Sequence, residues 1–237
     1  MSPNPAPLTL VMPAYNEERT ISQAIDRVLA QPFVGELIIV NDASTDQTPL
    51  ILEQLTDPRL RVITHAVNQG KGAALRTGFA HATCDFVGVQ DADLEYDPAD
   101  LAKLIKPLQE DLADVVYGSR FISGDARRVL YYWHSVGNRL LTLASNVVTN
   151  INLSDMETCY KIFRRELIQS IPIEEDRFGF EPEITVKIAK SGARIYEVGI
   201  SYAGRSYAEG KKIGWKDGVS AMRCLVKYSW RERRHHP

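Results

Sequence analysis

The sequence lacks the features that would place it in a membrane or in a secreted disulfide scaffold. No uninterrupted apolar run approaches the roughly 20 residues that a bilayer-spanning helix needs. The longest charge-poor stretch, 129–150, is broken by His134, Arg139 and several Asn and Ser residues. There are only three cysteines, Cys84, Cys159 and Cys224, far apart and without a C-x-x-C pair. That excludes a zinc knuckle and a disulfide framework, and fits reduced thiols in a cytosolic protein. The Pro-containing start, residues 1–7, lacks the basic and apolar regions of a signal peptide and reads as a flexible N-terminus. A net charge of −2 gives no overall basicity, so no nucleic-acid partner is expected. Neither G-x-G-x-x-G nor G-x-x-x-x-G-K-[ST] occurs, which disfavours a dinucleotide dehydrogenase and a P-loop kinase; Gly70-Lys71-Gly72 has the wrong spacing. The expectation is a cytoplasmic protein, soluble or at the cytoplasmic face of a membrane.

What the sequence does have is alternation. Short apolar runs at 8–12, 36–40, 60–64 and 86–90 read as strands, with helical periodicity between them. Pro13 is expected to break the first strand, and Asn16 to cap the following helix, with Glu17 and Glu18 in its first turn. Further helices are expected at 47–55, 71–82 and 98–111, and a strand at 114–117. Strand–helix alternation predicts an α/β fold with a parallel sheet covered on both faces. After Gly118 the rhythm changes. A polar loop at 119–128 leads into a long helix at 129–150, a short strand at 159–163, a helix at 181–190, a strand at 194–200 and an amphipathic helix at 215–230. Residues 8–118 read as a nucleotide-binding half, 119–205 as an acceptor half, and 206–237 as a basic amphipathic C-terminal segment.

Chemistry concentrates at the predicted strand ends. The strand through Val89 ends in Asp91-Ala92-Asp93. Paired carboxylates repel, and a divalent cation relieves the repulsion; Mg²⁺ or Mn²⁺ is typically held by one or two carboxylates plus phosphate oxygens. The alternative is a solvated pair capping the helix near Pro98. Asp42 and Asp46 follow the second strand, and Tyr15, Asn16 and Glu17 the first. In a doubly wound sheet these ends share one rim, where ligands bind. Lys71, at a helix N-terminus, is placed either to meet a nucleotide or to be a solvated loop lysine.

Val11-Met12-Pro13-Ala14-Tyr15-Asn16-Glu17-Glu18, Val40-Asn41-Asp42-Ala43-Ser44-Thr45-Asp46, Asn68-Gln69-Gly70-Lys71-Gly72 and Asp91-Ala92-Asp93 occur in this order. Together they resemble the signature of family 2 inverting glycosyltransferases, most of all the branch of dolichol-phosphate mannose synthase and bacterial polyprenyl-phosphate glycosyltransferases. The resemblance spans about 8–205. It implies a GT-A fold, a Rossmann-like, mostly parallel sheet with flanking helices and C-terminal acceptor-side helices. It also implies a nucleoside-diphospho-sugar donor (GDP-mannose or UDP-glucose), a divalent metal and inversion. By position, Pro13, Tyr15, Glu17 and Asp42 would line the nucleoside pocket, with Lys71 beside it. Asp91 would lie by the ribose or diphosphate, Asp93 would ligate Mg²⁺ or Mn²⁺, and Glu95, often Gln in this branch, would complete the coordination. Asn41 and Ala43 depart from the commoner Asp and Gly.

On the acceptor side, Gly118-Ser119-Arg120-Phe121 resembles the branch's Gly-Ser-Arg motif, with Arg127 or Arg128 and Arg205 as further basic residues. The guanidinium fork suits a phosphate, so the implied acceptor is a polyprenyl phosphate. A phosphate needs no general base; a hydroxyl acceptor would, and Asp155 is then the leading candidate, followed by Glu181 and Glu183. Relatives in this branch often carry C-terminal transmembrane helices, and this sequence shows none. The basic helix at 215–230 is expected either to meet a membrane interface or to pack on the domain with a charged outer face; a membrane-protein partner is the other route to lipid. The competing readings are a family 2 enzyme with a soluble glycan, protein or small-molecule acceptor, and a non-catalytic nucleotide-sugar-binding scaffold.

Overall fold

The computed structural model describes residues 7–122, 128–129, 131–205 and 215–231, with side chains of the last segment from 218 to 230. In chain order the strands are β1 (Leu8–Ala14), β2 (Val34–Asn41), β3 (Leu60–Thr64), β4 (Phe86–Val89), β5 (Val115–Ser119), β6 (Lys161–Arg164) and β7 (Ile195–Gly199). The helices are α1 (Ile21–Leu29), α2 (Thr48–Glu53), α3 (Lys71–His81), α4 (Leu101–Gln109), α5 (Tyr132–Thr149), α6 (Arg165–Ser170), α7 (Phe180–Ser191) and α8 (Trp215–Arg231).

The strands form one sheet in the order β3-β2-β1-β4-β6-β5-β7. β1, β2, β3 and β4 run parallel, and only β6 is antiparallel to both its neighbours, β4 and β5. Buried Val, Ile and Leu fill β1 and β2 because helices cover both faces. The chain reverses its direction of winding between β1 and β4, and the carboxyl ends of β1, β2 and β4 open onto one crevice there.

Pro13 does not end β1; the strand continues to Ala14, with Pro13 opposite Val40. The carbonyl of Val11 faces β4, so two residues on Pro13 faces the same way, beyond the point where β4 stops at Val89. The N–H that proline lacks has no ladder partner there. Asn16 is not the cap of α1, which starts at Ile21 after Thr20. Asn16 adopts a left-handed conformation (φ 54°) and its side chain accepts from the amide of Thr45 at 2.8 Å. Glu17 and Glu18 amides likewise donate across to Thr48 Oγ1 and Asp46 at 3.0 and 3.1 Å. The polar residues after β1 therefore tie two rim loops together instead of starting a helix.

A second, smaller core joins α5, α7 and α8 through Met156, Val186, Cys224, Leu225 and Tyr228. Of the two expected arrangements of α8, the simply charged outer face is the one the structure does not bear out. The inward face of α8 is Ala221, Cys224, Leu225 and Tyr228, whereas Val219, Met222, Val226 and Trp230 face outward beside Arg223. The outer face is thus substantially apolar, not simply charged. Tyr132, Trp133, Leu140, Leu143 and Val147 of α5 are also exposed. Among the described residues, no helix is long and apolar enough to cross a membrane.

Candidate active site

The crevice at the strand ends widens into a cavity of about 1240 Å³, with the strand-end loops on one side and α5 and α8 on the other. Pro13, Tyr15, Glu17, Asp42, Lys71, Asp91, Asp93, Glu95, Arg120 and Arg205 all line it, although they come from six separate stretches of sequence. Arg128 does not line it: its guanidinium donates to the carbonyl of Gly204 at 3.0 Å, and its amide to Tyr202. Arg127 lies outside the described residues.

Asp42 is nearly inaccessible and organises the next loop. Its carboxylate accepts from the amides of Gln69 (2.9 Å) and Gly70 (2.7 Å) and pairs with His65 Nδ1 at 2.7 Å. His65 Nε2 is held in turn by Thr77 Oγ1 at 2.9 Å. Gly70 needs its positive φ of 100° for this turn. Gly70 and Gly72 also lie directly under the backbone of Glu175 and Asp176, whose carbonyl oxygens a Cβ at either position would strike. The segment before α7 thus clamps the Gly-Lys-Gly turn, and Lys71 projects between them. Its ammonium meets Asp91 at 3.0 Å and Glu181, on α7, at 3.1 Å. Burial alone would lower the Lys71 pKa; Asp91 and Glu181 outweigh it and hold the group charged.

Asp91, Asp93 and Glu95 do not form a preassembled three-carboxylate cluster, and no group of three potential ligands is set for an ion among the described residues. Basic side chains divide them. Lys71 takes Asp91, while Arg205 binds Asp93 at 2.7 Å and Glu95 at 3.0 Å. Glu95 is further occupied by the hydroxyl of Tyr202 at 2.5 Å and by the amide of Arg205 at 3.1 Å. Burial, then Asp91 and Glu95, push the Asp93 carboxyl up to about 7 despite Arg205. A carboxyl so crowded by negative charge fits a cation, and one or two carboxylates suffice for Mg²⁺ or Mn²⁺ once phosphate oxygens join. The residue that caps the helical turn at Pro98 is Asp97, not either member of the Asp-x-Asp pair; it accepts from the amide of Ala99 at 3.1 Å.

Arg120, which also lines the cavity, is gripped by Asp155. Nε and Nη2 donate to the two carboxylate oxygens at 2.6 and 2.7 Å, and the Arg120 amide adds a third bond at 3.0 Å. Asn138 of α5 bridges both groups at 3.2 Å. The guanidinium carbon lies 5.2 Å from the centre of the Tyr202 ring. Asp155 raises the Arg120 pKa against a large burial penalty. Asp155 is itself fully buried, and both its oxygens are held by Arg120 and Asn138. Glu183 does not reach the cavity. It is fully buried, accepts from the amides of Glu174 and Glu175 at 2.8 Å each, and pairs with Lys187 at 2.6 Å. The sequence reading did not foresee the Lys71–Glu181 pair or Tyr202, because each partner comes from a distant segment with no motif of its own.

A family model described as glycosyl transferase family 2 matches residues 9–171. Among curated proteins, dolichyl-phosphate beta-glucosyltransferase ALG5A of Trichomonas vaginalis is 30% identical, over 96% of this chain and 77% of its own length. Undecaprenyl-phosphate mannosyltransferase of Micrococcus luteus is 27% identical, over 86% of each chain. Among solved structures, glucosyl-3-phosphoglycerate synthase of Mycobacterium tuberculosis, in complex with Mn²⁺, UDP and glucosyl-3-phosphoglycerate, superposes with a TM-score of 0.73 at 22% identity, covering 94% of this chain and 80% of that one.

Proposed function

Because the chain belongs to glycosyltransferase family 2, with that family's GT-A fold, we propose that it transfers a hexose from a nucleoside-diphosphate sugar to a polyprenyl phosphate, with inversion. The family makes it a hexosyltransferase; the donor and the acceptor are what is proposed. The observation that carries the acceptor is the asymmetry of the cavity. Its charged residues, Lys71 and Arg120 among them, come mostly from segments that follow strands, while α5 and α8 contribute Trp133, Leu140, Val219 and Met222. An apolar wall continuous with exposed apolar helix faces suits an isoprenoid chain, and an oriented guanidinium suits its phosphate. The lipid-phosphate acceptors named in the two curated relatives agree with this reading.

Tyr15, exposed at the rim, would stack on the base, with Pro13, Glu17 and the Asp42-ordered loop forming the rest of the nucleoside pocket. Asp93, with Asp91, would hold Mg²⁺ or Mn²⁺, which when bound neutralises diphosphate charge. Lys71 stands ready to offset the charge that develops on the leaving nucleoside diphosphate. Arg120, fixed by Asp155 and Asn138, would place an acceptor phosphate oxygen against the anomeric carbon. Arg205 would join it by turning from Asp93. The oxygen attacks from the face opposite the diphosphate; the new C–O bond forms as the bond to the β-phosphate breaks. The acceptor is already anionic near neutral pH, so no proton moves and no base is required. Asp155 then serves as the orienting carboxylate of Arg120.

A soluble phosphate ester is the second reading, since the Arg120 guanidinium held by Asp155 suits any phosphate monoester. The two are separated by offering radiolabelled UDP-glucose or GDP-mannose, with Mn²⁺, to undecaprenyl phosphate in detergent. Label entering the organic phase, and lost in Asp93→Ala, supports the lipid acceptor and identifies the donor. Label transferred only to water-soluble acceptors selects the second reading.

A further inference from the structure

None of these roles uses Glu157. Residues 154–159 link the surroundings of Arg120 to those of Lys71. Asp155 holds Arg120 at one end, and Cys159 lies against Asp91 and Lys71 at the other. Glu157 lies between them in the chain and lines the cavity, where the charges of Glu181 and of Arg120 both act on its carboxyl. Its Oε1 is buried, with no hydrogen-bond partner among the described residues. Lys161, its cationic neighbour, donates instead to the carbonyls of Met156 and Thr158. Burial, and then Glu181, raise the Glu157 pKa to about 7 against the opposing charges of Lys161 and Arg120. An unpartnered buried acceptor in a ligand cavity calls for a donor that the protein does not itself supply.

We propose that Glu157 is a specificity-determining contact for the donor hexose, accepting hydrogen bonds from its ring hydroxyls. The inference rests on the donor assigned under the proposed function. Charge decides which part of the reacting assembly Glu157 meets. Beside Glu181, a carboxyl repels both the donor diphosphate and the acceptor phosphate, and each of those has its own cation in Lys71 or Arg120. The group between the two phosphates is the sugar ring, which is neutral and rich in O–H donors. A carboxyl oxygen accepts from such hydroxyls, and a sugar that presents none in the right place leaves it buried and unpaired, which is how a polar site rejects a wrong epimer.

The test is calorimetric titration of the full chain and of Glu157→Gln and Glu157→Leu with UDP, GDP, UDP-glucose and GDP-mannose, each with Mn²⁺. The expected result is a roughly tenfold fall in nucleotide-sugar affinity for Gln, and a larger one for Leu, with nucleoside-diphosphate affinity within about twofold of the unsubstituted protein. Melting temperatures should stay level or rise, because an unpaired buried carboxyl has been removed. A parallel fall in diphosphate and nucleotide-sugar affinity would show that Glu157 merely supports the pocket, and overturns the inference. So does no change in either. If the unsubstituted protein binds none of the four, the donor assignment fails first, and this inference falls with it.

Discussion

The three loops that follow β1, β2 and β4 each turn on one left-handed residue: Asn16 (φ 54°), Ala43 (φ 57°) and Leu94 (φ 64°). Asparagine tolerates this conformation, but for alanine and leucine it costs about 1–2 kcal/mol. Backbone strain gathered at one rim is characteristic of a working site. Ala43→Gly is therefore expected to stabilise the protein by about 1 kcal/mol in denaturant unfolding, since glycine removes the strain and returns part of the gain as backbone entropy. A lower midpoint would show that Ala43 is not strained. At this scale the sequence was informative where a residue's neighbours in the chain define its role. Asp42, Lys71, Asp91, Asp93 and Arg120 were all picked from local motifs, and all line one cavity. It was silent where the partner is remote: that Arg205 bridges Asp93 and Glu95, or that Glu181 shares Lys71, depends on how the sheet brings distant segments together.

Among the elements, the strands and helices of the first half were legible because buried runs alternate with clear helical periodicity. The antiparallel β6 was not, because a strand of four residues carries no directional signal. The helix α6, six residues long, was missed because it follows β6 directly, with no turn residue between them to mark its start. The direction of β6 matters, since it lets residues 154–159 enter the cavity just before the strand. The sheet's far end is secured by Asp114, which accepts from Arg164 at 3.2 Å and from Arg194 at 2.8 Å, linking β5 to β6 and to the start of β7. Hydrogen bonding from Arg194 holds the Asp114 carboxyl well below the usual range. A depressed carboxylate contributes stability that is present above its unfolded pKa of about 4 and is lost as pH falls through its folded value. Asp114→Asn should accordingly melt below the unsubstituted protein at pH 7, with the gap closing progressively below about pH 4. A gap that persists unchanged at pH 2 would contradict the assigned ion pairs.

For the molecule as a whole, α8 ties the outer surface to the donor side. Lys227 and the Tyr228 hydroxyl hold Glu175 at 2.6 and 2.9 Å, and the backbone of Glu175 and Asp176 presses on the Gly-Lys-Gly turn. Facing away from those contacts, Val219, Val226 and Trp230 are exposed, Trp230 at 72%. Replacing Val226 and Trp230 together by Ser is expected to weaken sedimentation with phosphatidylglycerol vesicles by about tenfold or more, with little change in melting temperature. Equal sedimentation would remove the membrane role of this face. The sequence suggested an amphipathic α8 but could not tell which side the domain would cover, because both sides carry apolar residues and only packing against α5 and α7 decides between them. A lipid phosphate would, as proposed, be received on the Arg120 side of the cavity. The most direct measurement is the initial rate of hexose transfer to undecaprenyl phosphate compared with undecaprenol, in the same vesicles and with the same donor and Mn²⁺. Transfer confined to the phosphate, and at least a hundredfold slower to the alcohol, is the predicted result. Comparable rates with both, or transfer to neither alongside transfer to a soluble acceptor, would contradict it.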